Sequence, residues 1–290
     1  MKQKIAVMLI MIMTATIMFS SFAYAEADNK VGIKIEFDKK AYVKGETAAA
    51  TLTLTGLSDE KEAGLKLGAF ETHLKFYTNQ LSYLSENSGF ADGLFKTASS
   101  QDLTKEFQVT TDYNDIIVIA FAYKPGLSLD GVDTNGNLKI GTVKFTINDN
   151  VSKIEIGFDE SEKTYVTELV QTDLSSKFDI TVPQEDSTAD IKNVIAENAT
   201  AKFETDKVTA SINIRLSKGQ GAILIAQLYD TSTGLTKGTV VKPNLMDSAN
   251  INDITFNNIS DKTNLTVKYY LWESFANMKA LTTIQPIEVQ

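Results

Sequence analysis

The sequence predicts an all-β protein with two β-sandwich domains. Alternating apolar and polar residues recur along the chain, most clearly in LGAFETHLKF at residues 67–76, where one face carries the large apolar side chains. Clusters of Gly, Asn, Asp and Ser separate these runs. An acidic stretch at residues 184–190, QEDSTAD, divides the 290-residue chain into two parts, each long enough to form its own core.

The first 25 residues are expected to be a signal peptide that is removed on export. Lys2 and Lys4 precede an apolar run at residues 5–19, and Ala23-Tyr24-Ala25 places small residues where a signal peptidase cuts. A retained anchor is the alternative, but it needs about 20 continuous apolar residues. We therefore expect a secreted protein, extracellular or associated with the cell surface, with no membrane insertion after cleavage.

The composition narrows the functional classes. The formal charge is −9, and loss of two lysines with the signal peptide makes it −11. An acidic protein repels phosphate backbones and anionic lipid, so neither nucleic acid nor a charged membrane is an expected partner. The absence of cysteine excludes a thiol nucleophile, a thiolate metal site and a lipid-modified N-terminal cysteine. It is usual in secreted proteins of Gram-positive bacteria.

The first domain is predicted at residues 26–183. Its predicted strands lie at residues 33–37, 42–43, 51–54, 67–76, 81–84, 107–111, 116–123, 140–147, 154–158 and 178–182. Residues 116–123, IIVIAFAY, are nearly continuous in apolar side chains, which indicates a central strand buried on both faces. Residues 89–105 are predicted to be mainly loop, and residues 159–174 to be a polar excursion.

Several residues stand where cohesin domains carry their characteristic ones. In cohesins a strand ends in Tyr-Asp-Pro, and after two further positions a leucine plugs the core; here Phe76, Tyr77, Thr78 and Leu81 occupy those places. The opening run VGIKIEFDKKAYVKGETAAATLTL is also similar to the start of a cohesin. Residues 31–183 thus resemble a cohesin domain in the pattern and order of their elements.

The resemblance implies a jelly-roll sandwich with a non-catalytic binding role. Cohesins recognise dockerin domains through one sheet face, and they share their sandwich with bacterial carbohydrate-binding modules. A dockerin-type protein or a polysaccharide is therefore the partner that the resemblance implies.

Residues 127–136 have the composition of a calcium loop, with Asp130, Asp133 and Asn135 beside glycines. An EF-type loop needs oxygen ligands at its first, third and fifth positions and glycine at the sixth. If Gly136 is sixth, the first position is Gly131, which has no side-chain ligand. An Asn-Gly hairpin turn is the preferred interpretation, and neither a metal nor a cofactor is predicted.

Residues 184–190 are predicted to be a linker, and residues 191–290 to be a second domain with an immunoglobulin-like sandwich. Its predicted strands lie at residues 208–216, 222–229, 239–241, 251–256 and 265–272. The closing run YYLWESFANMKALT resembles the last motif of β-domains appended to bacterial secreted and surface proteins. In such domains the motif is structural, so Trp272 and Met278 are expected to pack against the sandwich.

No residue pattern predicts catalysis. His73 is the only histidine and lies on the polar side of its strand beside Glu71 and Lys75, where an exposed side chain is expected. The sequence has no G-x-S-x-G turn and no His-rich zinc motif. Two carboxylates could cleave a glycosidic bond, but nothing singles out a pair among 37 acidic residues. The protein is predicted not to be an enzyme.

Aromatic rings on an open sheet face can stack on sugar rings. The candidates in the first domain are Tyr77, Tyr83, Tyr113 and Tyr123, near strand ends, where each could instead be a rim or core-edge residue. The leading hypothesis is a secreted binding or scaffold protein that recognises an extracellular polysaccharide or a dockerin-type protein. The alternative is a cell-envelope, matrix or fibre subunit that self-associates through sheet edges.

Overall fold

A computed structural model of the protein describes residues 30–57, 67–95, 103–110, 113–127, 132–159, 164–170, 173–177, 179–246 and 248–290. The predicted signal peptide lies outside these residues. Across the described ranges, no helix is long and apolar enough to span a bilayer. Two hydrophobic cores are present, one built by residues between 31 and 191 and the other by residues between 194 and 289.

The first sandwich contains strands β1 to β14 and one short 3-10 helix at Ser85–Asn87. The strands are β1 (Lys30–Phe37), β2 (Ala41–Val43), β3 (Thr47–Thr55), β4 (Leu67–Phe76), β5 (Leu81–Tyr83), β6 (Gly89–Phe90), β7 (Leu103–Val109), β8 (Ile116–Leu127), β9 (Leu138–Ile147), β10 (Lys153–Phe158), β11 (Tyr165–Val170), β12 (Asp173–Lys177), β13 (Asp179–Thr181) and β14 (Ser187–Lys192).

These strands form two sheets. The first has the order β13-β1-β3-β9-β5, with β6 also paired to β9. In the second, β8 pairs along one edge of β4, while β10 and β11 share the other edge. β7 extends this sheet beyond β8, and β14 and β2 extend it beyond β10. The all-β prediction is confirmed.

The first core lies between the inward faces of these sheets. Phe76 of the second sheet meets Phe145 of the first, with ring centroids 5.2 Å apart. Phe70 stacks on Phe121 within the second sheet at 5.7 Å. Buried residues largely alternate with less buried ones along β3, β4 and β9. The period of two in the sequence therefore corresponds to side chains that point alternately into the core and away from it.

Two predicted loop segments contain strands instead. β6 and the start of β7 lie within residues 89–105, where Phe90 packs against Phe107 with centroids 5.2 Å apart. β11 lies within residues 159–174, predicted to be a polar excursion, and pairs with the first half of β4. Aromatic burial in the first case and main-chain pairing in the second outweigh the polar composition of these segments.

The second sandwich contains β15 (Val194–Glu204), β16 (Lys207–Leu216), β17 (Ala222–Asp230), β18 (Leu235–Leu245), β19 (Ala249–Asn257), β20 (Leu265–Trp272), β21 (Ala280–Thr283) and β22 (Ile287–Glu288). One sheet has the order β15-β16-β19, and the other β18-β17-β20-β21, with β22 also paired to β20. Val208, Ala210, Ile212 and Ile214 of β16 alternate into the core between them. The predicted two-sandwich architecture is confirmed.

Part of the predicted linker between the two sandwiches belongs to a strand of the first sandwich. Within residues 184–190, strand β14 begins at Ser187 and pairs with β10 and β2. Ala189 and Ile191 alternate into the first core, and β15 begins at Val194. From Ser187 onward the linker prediction is therefore wrong, because two alternating apolar side chains outweigh the acidic composition. The other domain limits stay a prediction.

A charged contact ties the sandwiches together, and we call it the Arg215–Glu46 clasp. Nη1 of Arg215 on β16 donates to both carboxylate oxygens of Glu46, at 3.0 and 2.8 Å, and Nη2 donates to the Ala41 carbonyl at 3.1 Å. Nε donates to Glu197 at 3.1 Å. The side chains of Arg215 and Glu46 are only 17% and 21% exposed, so water screens this pair less than a surface pair.

Candidate functional site

The outer face of the second sheet carries a line of aliphatic side chains along β8. Ile117, Ile119, Phe121 and Tyr123 point into the core, so the intervening residues point outward. These outward residues are Ile116, Val118, Ala120 and Ala122, and we call this surface the stripe face. Ile116 and Val118 are half-buried, Ala120 is buried and Ala122 is exposed, so the prediction that this strand is buried on both faces is wrong for most of its outer face.

Polar side chains flank the line on both neighbouring strands. On β4, Glu71 lies opposite Ala120 and His73 lies opposite Val118. On β7, Glu106 lies opposite Ala120 and Gln108 lies opposite Val118. The stripe face is therefore aliphatic at its centre and polar along both sides.

The flanking side chains are held by their own hydrogen bonds. Nε2 of His73 lies 3.0 Å from Oε1 of Glu71, and Nε2 of Gln108 donates to Oε1 of Glu106 at 2.8 Å. His73 was expected to be exposed on the polar side of β4; it does lie on that side, but it is half-buried. These bonds reduce the conformational freedom that a ligand would otherwise have to restrict.

At one end of the stripe face, where Ile116 lies opposite Lys75, there is a polar depression of about 830 Å³. We call this the lower end of the face. The lining of the depression includes Lys75, Tyr77, Glu155 and Asp186. Lys153 donates to Glu155 at 2.7 Å, which lowers the pKa of the Glu155 carboxyl and raises that of the Lys153 ammonium. This end of the face therefore presents charges of both signs.

Gly157 lets the Asp186 side chain close over β10 in this depression. A Cβ added at residue 157 would lie 1.8 Å from Oδ1 of Asp186, so no larger residue fits without displacing it. Asp186 Oδ2 is also 3.5 Å from the Tyr77 hydroxyl, at the limit of a hydrogen bond. The loop before β14 thus forms one wall of the depression.

The four tyrosines predicted to bind a ligand do not form one site. Tyr77 and Tyr113 are exposed and lie at the same end of the second sheet, because the Phe76 amide donates to the Asp115 carbonyl there at 2.9 Å. Tyr83 is half-buried against Phe145, with centroids 6.1 Å apart, and burial raises the pKa of its phenol.

Tyr123 is only 5% exposed and belongs to the first core. It therefore has no open ring face, which corrects its assignment as a stacking residue. Alternation along β8 carried the signal: Tyr123 has the same parity as Ile117 and Ile119, which point inward. The outward aliphatic residues of the same strand were not among the candidates predicted from the sequence.

The predicted Asn-Gly turn is present between the described parts of β8 and β9. Oδ1 of Asp133 accepts from the amides of Asn135 and Asn137 at 2.8 and 2.9 Å, and hydrogen bonds from Asn137 hold the pKa of Asp133 below its usual range. Gly136 has φ +75°, which suits glycine. Asp130 and Gly131 lie outside the described residues, among which no group of three or more His, Cys, Asp or Glu could hold a metal ion.

The protein is similar to several solved structures, whereas neither protein-family models nor curated proteins gave a match. Among solved structures, the protein is similar to a type II cohesin domain from the cellulosome of Acetivibrio cellulolyticus, with 14% identity over 55% of this chain and 95% of that one, and a TM-score of 0.38. It is also similar to type II Cohesin A11 from Bacteroides cellulosolvens, with 10% identity over 56% and 99% of the two chains and a TM-score of 0.37.

A two-module structure matches over more of the chain. The type II cohesin dyad from the adaptor ScaA scaffoldin of Acetivibrio cellulolyticus covers 90% of this chain and 98% of its own, with 9% identity and a TM-score of 0.39. All three of these structures are type II cohesins, the family that residues 31–183 resemble in sequence pattern.

Proposed function

We propose that the protein is a secreted, non-catalytic binding protein whose stripe face recognises a dockerin-type protein partner. The observation that carries the proposal is the line of outward aliphatic side chains on β8, bordered by polar side chains on β4 and β7. Protein interfaces have the same arrangement, with an apolar centre that excludes water and a polar rim.

The stripe face suits a protein better than a sugar. Its centre carries methyl-bearing side chains and, among the described residues of β8 and its two neighbours, the aromatic side chains belong to the core rather than to this face. Sugar sites of open sheets depend on aromatic rings, whereas a flat aliphatic surface gains affinity by close packing against another protein. Residues 31–183 also resemble cohesins, which recognise dockerin domains through one sheet face, and this supports a dockerin-type protein as the partner.

The polar rim gives the face a means of choosing its partner. Glu71 and Glu106 lie on opposite sides of Ala120, so an approaching surface meets a carboxylate on each side of the aliphatic centre. The mixed charges of Lys75, Lys153 and Glu155 lie at the lower end. We infer that a basic or polar patch on the partner faces the two glutamates, because a like-charged surface would be repelled.

Self-assembly through sheet edges, the alternative function, is not favoured. One long edge strand of the second sandwich, β18, contains Lys237, Lys242 and Pro243. Lysine and proline on an edge oppose pairing with another strand. In the first sandwich, three of the terminal strands, β13, β5 and β2, have three residues each, which leaves a partner strand little to pair with.

A single substitution on the stripe face tests the proposal. Val118→Asp places a charge at the aliphatic centre without entering the core, because Val118 points outward. We expect its affinity for a dockerin, measured by titration calorimetry against a panel of recombinant dockerin domains, to fall at least about thirtyfold, equivalent to about 2 kcal/mol.

Thr53→Asp is the matched control, since Thr53 is a half-buried, outward residue on a central strand of the opposite sheet. It is expected to bind as the unmodified protein does. If no dockerin of the panel binds, the partner class is wrong; if both variants bind equally well, the stripe face is not the site.

A further inference from the structure

We propose a second binding site, on the other sandwich: the outer face of the β18-β17-β20-β21 sheet binds an uncharged polysaccharide by stacking sugar rings on Tyr270, Trp272 and Phe275. We call these three side chains the aromatic row. This site is separate from the stripe face, and the proposal does not depend on the function proposed above.

The aromatic row lies outside the second core. Tyr269 and Leu271 of β20 point into that core, so Tyr270 and Trp272 point outward. The closing motif predicted that Trp272 and Met278 would pack against the sandwich. For Met278 this is wrong, since it is 63% exposed and lies outside the second core. Trp272 is half-buried beside Ile223 on the outer face, and it also lies outside that core.

The row follows the direction of the strand. Two residues apart on one face of β20, the Tyr270 and Trp272 side chains are spaced by about 6.7 Å along the strand. Phe275 follows the strand end, and its ring is edge-on to that of Trp272, with the centroids 6.4 Å apart and the ring planes at 86°. A series of rings beginning along the strand suits a linear polymer whose repeating unit is itself a ring with apolar C–H faces.

Aliphatic side chains form the floor beneath the row. Across β17, Ile225 lies opposite Tyr270 and Ile223 lies opposite Trp272. Both isoleucines are buried on the outer face, although neither belongs to the second core. Packing of the aromatic side chains on this floor holds the rings in place, which reduces the entropy that a ligand must overcome.

The loop after β20 holds Phe275 out towards solvent. The Glu273 amide donates to the Lys279 carbonyl at 2.9 Å, and the Met278 amide donates to the Ser274 carbonyl at 3.1 Å. Met278 has φ 44°, in the left-handed region that few residues other than glycine adopt. A tightly bonded loop that keeps Phe275 55% exposed presents an apolar side chain rather than hiding it.

The charges around the row favour an uncharged ligand. Lys279 pairs with Glu273 at 3.7 Å, and Lys268 lies 3.4 Å from the centroid of the Tyr229 ring on the same face. On this face Gln227 and Thr239 add uncharged groups that can bond to hydroxyls. In a chain of formal charge −9, an anionic polysaccharide would gain nothing from such a surface.

Trp272 is also the reporter, because it is the only tryptophan of the chain. The experiment uses the full secreted chain with insoluble cellulose and chitin in pull-downs, and a soluble uncharged β-glucan in fluorescence titrations. We expect retention on at least one of these polymers, and a shift of Trp272 emission with protection from acrylamide quenching on titration of the soluble glucan. Polygalacturonate, an anionic polymer, is expected to give neither.

Variants assign the effect to the row. Tyr270→Ala and Trp272→Ala are expected to weaken retention about tenfold or more, while Tyr113→Ala, an exposed tyrosine of the other sandwich, leaves it unchanged. The proposal is overturned if no uncharged polymer binds, if both row variants bind as the unmodified protein does, or if the emission shift follows protein concentration alone, which would identify a second copy as the occupant. The stripe-face variant Val118→Asp should still bind polymer, so the two proposals fail independently.

Discussion

The stripe face and the aromatic row occupy the same kind of position, the outer face of a sheet, but differ in the size of their side chains. Between residues 116 and 122 of β8 the outward residues are aliphatic, from alanine to isoleucine, with glutamates on either side. Along β20 they include tyrosine and tryptophan over an isoleucine floor. One fold therefore offers a smooth surface for close packing in its first half and a row of rings in its second.

The largest expected effect separates inward from outward residues on the two strands. Ile117→Ala and Leu271→Ala each remove a fully buried side chain and should lower the free energy of unfolding by about 2–5 kcal/mol. Their sequence neighbours Val118 and Trp272 point outward, so Val118→Ala and Trp272→Ala should cost less than about 1 kcal/mol each.

Urea unfolding followed by far-ultraviolet circular dichroism measures all four variants. A Trp272→Ala variant as unstable as Leu271→Ala would show that the tryptophan is part of the core. The aromatic row would then not be an outer surface of the second sandwich.

The next effect concerns the clasp. Glu46→Gln removes the charge that faces Arg215 in a largely shielded contact, and should lower stability by about 1–3 kcal/mol. Because the contact joins the sandwiches, we also expect small-angle X-ray scattering of the variant to show a wider distribution of interdomain distances.

Lys34→Gln is the control, since it breaks the exposed Lys34–Glu36 pair within β1. It should change stability by less than about 0.5 kcal/mol and leave the scattering profile as it was. An unchanged profile for Glu46→Gln would mean that the direct connection from β14 to β15 fixes the relative orientation of the two sandwiches without the clasp.

A further effect appears only at alkaline pH, where a buried tyrosine in each sandwich, Tyr42 in the first and Tyr269 in the second, can lose its proton. Burial raises the pKa of Tyr269 to about 12, and burial together with the hydrogen bond to Asp38 raises that of Tyr42 further. Both phenols bind their protons more tightly in the folded state than in the unfolded state. Their contribution is complete below pH about 10 and is lost as the pH rises towards the folded pKa, by up to about 1.4 kcal/mol per pH unit for each.

Tyr269→Phe should reduce the slope of stability against pH between about 10 and 12, and Tyr42→Phe should do the same for the first sandwich. Denaturant titrations at several pH values measure both slopes. A slope that neither variant alters would contradict the assignment to these tyrosines.

Alternation predicted the strands and failed where both faces of a strand are apolar. For β4, one face is clearly polar, and the predicted and observed limits, Leu67–Phe76, coincide. For β8 and β20, apolar residues stand on both faces, so the sequence alone could not show which face remains open. Tyr123 was a candidate ligand-binding residue, and it lies in the core because the side of the strand that is covered depends on the sheet that packs opposite.

Composition was the weaker guide. The acidic stretch before residue 191 predicted a linker, yet Ala189 and Ile191 are enough to bring β14 into the second sheet. The clasp could not be predicted either, because Glu46 and Arg215 are 169 positions apart and no pattern in the sequence links them. Contacts of this range become visible only when the fold is known.

The short junction between the sandwiches has a mechanical consequence. Asn193 alone separates β14 from β15, and the clasp bridges the same place. Tension applied to the chain is therefore transmitted directly from one sandwich to the other, because there is no long flexible linker between β14 and β15 to extend first. A polymer held by the second sandwich and a protein held by the first would be kept at a set spacing, and each bound ligand would raise the effective concentration of the other through fixed geometry.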